Sequence, residues 1–219
     1  MPKTKKVFPI LFSMVLLDQT AFGVLLPIIS VLFIEPQSTY FLLSGPAQAQ
    51  TTGYILLSLL FGTFPLAQFF AGPVLGELSD RFGRKPILIF AALSITVAYG
   101  VFAYGIVIKN IQLLFLSRVL AGIGGGSVGV IFASAADISS PADRAKNFGI
   151  IASASGLGLI LGPLIGGLLS DSSTVSFFNL TTPVYALLIL GLCNLLIVST
   201  LFPETYGGRG ETQRINWLT

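Results

Sequence analysis

Histidine is absent from this chain, cysteine occurs once, at Cys193, and Asp, Glu, Lys and Arg together make up only 10% of the residues. Without histidine and with a single thiol there is no zinc site, no internal disulfide and no Cys/His couple, so most enzyme chemistry lacks its residues. No cofactor motif is present and none is expected. An ordinary soluble domain carries about 25% charge, and this scarcity excludes water as the main solvent. The pI near 9.1 and net charge of +3 do not indicate nucleic-acid binding, because the basic residues are scattered singly between apolar stretches and form no patch.

What is abundant is apolar sequence, with 53% hydrophobic residues and a mean hydropathy of +0.88. Apolar spans run at about 7–34, 50–76, 85–108, 111–136, 148–169 and 182–201. Each is long enough to cross a hydrocarbon core of roughly 30 Å as a helix. The fold expected is all-α: a six-helix transmembrane bundle over residues 1–205, embedded in a lipid bilayer, followed by a polar cytoplasmic tail over 206–219. The first span is too long for a signal peptide and has no convincing cleavage site, so it counts as a mature helix.

With the amino terminus inside, Lys3, Lys5, Lys6, Arg81, Arg84, Lys85, Arg144, Lys146, Arg209 and Arg214 fall on the cytoplasmic side and only Lys109 falls outside. That asymmetry orients the bundle with both termini cytoplasmic. A multi-pass protein of the cell (inner) membrane is the expectation.

Glycine and proline number 24 and 12. Small residues let membrane helices approach closely, and Gly158, Gly162 and Gly166 recur at intervals of four on one face of the fifth span, which predicts a second helix against that stripe. Between spans two and three runs Gly76-Glu77-Leu78-Ser79-Asp80-Arg81-Phe82-Gly83-Arg84-Lys85-Pro86. Gly76 and Asp80 share a helix face, Gly83 permits a sharp turn, and Pro86 suits the first turn of the next helix. Two charges lie inside spans: Asp18 in the first and Arg118 in the fourth, the latter followed by Gly122. A charge at mid-bilayer costs about 2.5 to 3.5 kcal/mol even on the mildest scale, so both are candidates for function. At about 1.5 Å per residue they lie within about one helical turn of each other in depth. Desolvation favours the neutral acid and a nearby guanidinium the carboxylate, so protonation at Asp18 can depend on which side admits water.

The charged run meets every position of the loop signature G-x-x-x-D-R/K-x-G-R/K-R/K and resembles the major facilitator superfamily. The resemblance implies a cytoplasmic gate loop of Gly76, Asp80, Arg81, Gly83, Arg84 and Lys85, with Arg84 paired to Asp137 at the end of span four. Gly149, Gly158, Gly162-Pro163 and Gly166-Gly167 resemble that superfamily's antiporter signature on helix five, where a Gly-Pro step lets the helix bend. Span one from Leu17 to Pro27, the gate loop, Gly156 to Pro163 and Pro203-Glu204-Thr205 are similar to drug/proton antiporters of the tetracycline efflux branch. Tetracycline carriers place an acid in the middle of helix three, where this chain has Ala98 beside Tyr99. A general exporter of small amphiphilic compounds therefore fits better than a tetracycline-specific one.

The resemblance implies proton coupling through Asp18 with Arg118 compensating its charge, and a twelve-helix fold made of two similar halves, each a 3+3 inverted repeat. Six spans make this the amino-terminal half, expected to work with a second six-helix half on protons and a small-molecule substrate. Two other readings stay open: a transport-inactive fragment or assembly partner, and a proton-coupled uptake permease. Gln19, Phe22, Gln68 and Asn194 are polar or aromatic groups within apolar spans, either lining the substrate path or bonding helix to helix.

Overall fold

A computed structural model describes residues 4–43, 49–171 and 175–207; the expected tail therefore lies outside the described residues apart from Tyr206 and Gly207, as do Lys3, Arg209 and Arg214. Among the described residues seven helices follow one another: α1 (Thr4–Ile34), α2 (Ala49–Phe82), α3 (Arg84–Val107), α4 (Ile111–Gly125), α5 (Val128–Ile138), α6 (Arg144–Ser170) and α7 (Thr182–Leu201). There is no strand among the described residues. Six stretches are long and apolar enough to cross a membrane, with α4 and α5 forming one of them, Ile111–Ile138.

Two boundaries differ from the sequence reading. The second helix continues past Gly76 to Phe82, so most of the charged run is helix and the turn reduces to Gly83. Its last turns leave the apolar stretch yet stay helical because Glu77 and Arg81 pair one turn apart and the Ser79 hydroxyl donates to the Gly76 carbonyl. Gly83 sits at φ 96, where any side chain would be strained, and lets α3 begin at the very next residue. The fourth span is interrupted at Gly126–Ser127. There the glycines bring it against two neighbours at once. A Cβ added to Gly122 would stand 2.5 Å from the Phe64 carbonyl oxygen of α2, and one on Gly124 would stand 2.7 Å from the Ala91 carbonyl oxygen of α3.

The predicted glycine stripe on α6 packs on α1, the most extensive helix pair in the bundle. A Cβ on Gly162 would come within 2.6 Å of the Gly23 Cα, and one on Gly166 within 2.8 Å of the Val24 carbonyl oxygen. Gly149 and Gly167 point away, into open space. α3 packs between α4 and α7, and α2 packs on α4.

The core is divided along the helix axes. One apolar cluster takes Val7, Ile10, Leu11, Met14 and Val15 of α1 with Ile87 and Leu88 of α3 and Val198 of α7. Another takes Ala21, Val24, Leu25 and Ile28 of α1 with Phe102 and Ile106 of α3 and Val184 and Leu187 of α7. Asp18 falls between these two along α1, beside a third, smaller cluster of Phe64, Ala98 and Ala121 with Phe22 and Leu120 packed against it.

Candidate functional site

Two clusters of polar side chains stand out, one at the middle of the bundle and one where α2 meets α3.

The middle cluster is built on α1, α3 and α4. Arg118, only 4% exposed, reaches from α4 into a small cavity of about 10 Å³, room for no more than about one water, that Asp18, Ala21, Phe22, Phe64, Tyr99 and Ala121 also line. The guanidinium carbon lies 4.8 Å from the centre of the Phe102 ring, a cation-π contact. Its Nε and Nη2 atoms find no hydrogen-bond partner among the described residues, and neither does the Tyr99 hydroxyl. Asp18 and Arg118 face the same cavity, yet among the described residues no ion pair within 4 Å joins them. The compensation expected of Arg118 would therefore have to act across space, not through a contact.

Asp18 also lines a second small cavity, of about 20 Å³, together with Met14, Leu17, Ala92, Ile95, Thr96, Gly191 and Asn194. It is the one residue common to both linings. Of the four further lining candidates, Phe22 lies in the first cavity, its ring 5.9 Å from those of Phe61 and Phe64. Asn194 lies in the second and donates to the Ser13 hydroxyl across α7 and α1 at 3.3 Å. Gln68 bonds helix to helix, donating to the Gly125 carbonyl at 3.0 Å. Gln19 packs its Cβ against Gly158 and lines neither cavity.

The second cluster centres on Arg84, 7% exposed at the start of α3. Its Nη1 donates to the Ser79 hydroxyl and to Asp80 Oδ1, both at 2.6 Å. Its Nε donates to Asp137 Oδ2 at 3.1 Å, the contact expected from the resemblance. The face of the Tyr206 ring lies 5.2 Å from the guanidinium. Glu204, just beyond α7, accepts from the backbone N–H of Arg84 at 2.9 Å and of Lys85 at 3.1 Å, which satisfies donors that a helix start leaves free. Partial burial pushes the Glu204 carboxyl up, but the N–H groups of Tyr206, Arg84, Lys85 and Thr205 outweigh it and hold the group below the ordinary glutamate range. Among the described residues Arg81 pairs only with Glu77, and Gly76 faces open space.

Sequence reasoning did not single out Tyr99, Ser79, Glu204 or Tyr206 as site residues. Tyr99 carried a signal, a phenol in the middle of an apolar span. Glu204 carried one in the Pro-Glu-Thr ending, although its partners stand 120 residues away. Among the described residues no group of His, Cys, Asp or Glu is placed to hold a metal ion.

The chain is 33% identical over 206 residues to the class C tetracycline resistance protein of Escherichia coli, covering 94% of this chain and 47% of that protein. It is 31% identical to the bovine major facilitator superfamily domain-containing protein 10, covering 93% and 45%. The crystal structure of the human organic anion transporter MFSD10 superposes with a TM-score of 0.73 at 26% identity, over 94% of this chain and 49% of that one. This chain thus spans about half the length of the curated relatives it matches. Residues 10–215 match the Major Facilitator Superfamily, and with the fold, the charged loop signature and these relatives in hand the chain belongs to that superfamily.

Proposed function

We propose that this chain supplies the amino-terminal half of a proton-coupled antiporter that exports small amphiphilic compounds. The supporting observation is the placing of Asp18 and Arg118 on one small cavity inside the apolar bundle, without an ion pair between them. Charges held in an apolar interior are costly and are kept where they serve transport. A carboxyl that is not locked to its counter-charge is free to gain and lose a proton. Water entering from one side and then the other loads and unloads it, while Arg118 keeps the anionic form tolerable. Relatives named for tetracycline resistance and for organic anion transport favour compounds with an apolar body and a polar group. Phe22, Phe61 and Phe64 offer an apolar wall for such a body.

In this reading both termini are cytoplasmic, and Arg84, Asp80 and Asp137 hold the cytoplasmic end shut. A second six-helix half completes the path. Gly149 and Gly167 on α6 and Gly62 and Gly76 on α2 have nothing within 4 Å of where a Cβ would be, and small open residues suit close contact with another membrane helix.

The test is flux in liposomes under an imposed pH gradient, using this chain with a candidate second half. An inward proton gradient drives efflux in the wild type, and Asp18→Asn removes the dependence on the gradient. Unchanged pH dependence in that variant, or no gradient-driven flux at all, overturns the reading.

A further inference from the structure

The fourth span is one membrane crossing made of two helices, and the two are held very differently. α4 packs extensively on α2 and α3, whereas α5 touches α1, α2, α3 and α6 only lightly. A hydrogen bond also ties α4 to each of its neighbours: the Ser94 hydroxyl of α3 donates to the Leu120 carbonyl at 2.7 Å, and the Gln68 amide of α2 donates to the Gly125 carbonyl at 3.0 Å. α5 buries only Val130, Ile131, Ser134 and Ala135. Among the described residues the one side-chain hydrogen bond joining α5 to another helix lies at its far end, where Asp137 accepts from Arg84.

Between the two helices the backbone leaves the α-helical pattern. The Ser127 N–H donates to the Gly124 carbonyl, three residues back, at 3.0 Å, and four-residue spacing resumes where the Ile131 N–H donates to the Ser127 carbonyl at 2.9 Å. A helix end of this kind leaves its last carbonyls short of partners. Gly125 is the last residue of α4, and Gln68 fills its carbonyl from outside the helix. The seat beneath the break is backbone on backbone, since a Cβ added to Gly126 would stand 2.9 Å from the Gly72 nitrogen. No side chain interlocks there to fix the direction in which the chain leaves α4.

We propose that Gly124–Ser127 is a hinge inside the fourth span and that Gln68 is its clasp, so that α5, carrying Asp137, swings while α4 keeps Arg118 in place. The inference goes beyond the antiport reading and does not need it, because the swing exists whether or not a proton moves. In an unbroken rigid helix, parting Asp137 from Arg84 would drag Arg118 away from the Phe102 ring, which it faces at 4.8 Å. A hinge between them separates the two events. α5 is about 16 Å long at about 1.5 Å per residue, so a turn of about ten degrees at the break moves Asp137 by about 3 Å, enough to lose its hydrogen bond to Arg84. The Gly125 carbonyl changes donor in the same movement. In the interrupted form it accepts from Gln68; when the span becomes continuous an N–H of the first turn of α5 takes it, and the amide is released.

Distances between spin labels, measured by electron–electron double resonance on the full chain in nanodiscs, read the swing. Cys193, exposed on α7, is first replaced by serine. One label pair, at Phe90 of α3 and Ala136 of α5, spans the Arg84 to Asp137 contact; a second, at Val97 of α3 and Leu116 of α4, lies on the α4 side of the hinge. Phe90, Val97 and Leu116 are exposed and Ala136 is half-buried, so the labels have room. Gln68→Met, close in size, takes the donor from a buried carbonyl and is expected to raise a second Phe90–Ala136 distance about tenfold in population, with the Val97–Leu116 distance unchanged. Arg84→Gln frees the other end of α5 and raises the same second distance. A Phe90–Ala136 distance that stays as in the wild type in both variants overturns the hinge. A Val97–Leu116 distance that changes together with it in Gln68→Met also overturns it, because the amide then holds the whole bundle rather than a joint. Both pairs behaving as expected, with no gradient-driven flux in the wild type, leaves the hinge standing and sinks the antiport reading.

Discussion

Arg84 and Arg118 are the two nearly buried guanidinium groups of this bundle, 7% and 4% exposed, and they are treated in opposite ways. Arg84 is enclosed by Ser79, Asp80, Asp137 and the Tyr206 ring, with its own backbone N–H taken by Glu204. Arg118 has the Phe102 ring, a cavity and two nitrogens without partners. A buried charge whose hydrogen bonds are filled holds one arrangement in place, because each partner would be left unsatisfied by its loss. A buried charge with open donors lowers stability in the state seen and gains when something arrives to fill them. In the proposed reading the first pattern is a fastening and the second a site whose occupant changes.

The sharpest way to break this contrast is to remove each guanidinium in turn. Arg84→Gln leaves Asp137 and Ser79 without their partner and is expected to cost about 2 kcal/mol, the range for a charged hydrogen bond lost in a partly screened setting. Arg118→Gln removes a desolvated charge with incomplete bonding, so thermal stability is expected to hold or rise, while proton-driven flux falls to the level of empty liposomes. Melting curves of the two variants in the same nanodiscs, set beside their flux, check both halves. Equal destabilisation would show that the two arginines do the same job.

The difference between the two sites also explains what could be read before the structure. The six spans follow from uninterrupted apolar sequence, and the α6 stripe of Gly158, Gly162 and Gly166 foretells a close neighbour because its spacing is local. That the neighbour is α1, meeting it at Gly23, depends on pairing between distant segments and leaves no local signature. The gate loop was legible as a motif, and the Arg84 to Asp137 contact through its resemblance. Glu204 was not, since a carboxylate after α7 finds its partners only once α7 returns to the start of α3. The helical extension to Phe82 was missed because a falling hydropathy marks where the apolar surface ends, not where the helix does. At the middle site Asp18 and Arg118 were visible as charges out of place, and Tyr99 was hidden by the ease with which a phenol passes for an aromatic core residue.

A smaller effect sharpens the reading of the Arg84 cluster. Glu204→Gln keeps an acceptor but loses the charge that meets the start of α3, and is expected to cost about 1 kcal/mol near pH 7, allowing for the exposure of this side chain. The folded carboxyl is held below its ordinary value, so its contribution is complete above the unfolded value of about 4.3 and disappears as pH falls through the folded one. The stability gap between wild type and variant should therefore be flat from pH 8 to 6 and close below about pH 4. Thermal melts across that range decide it; a gap that widens in acid contradicts the capping role.

The smallest effect is expected three residues from Arg84. Arg81 belongs to the same motif, carries the same guanidinium and pairs with a carboxylate one turn back, yet its side chain is 68% exposed and that of Glu77 is 64% exposed. In water the Coulomb gain is offset by hydration and by the entropy of holding two long side chains, so an exposed pair of this spacing contributes about 0.3 to 0.5 kcal/mol. Arg81→Ala should then leave the melting temperature within about two degrees, and the little it loses should vanish in high salt. Arg84→Gln should keep most of its loss at the same salt concentration, because its partners are largely out of reach of the ions. If the two losses respond to salt alike, burial is not what separates these arginines, and the fastening assigned to Arg84 would have to come from the motif's sequence rather than from its enclosure.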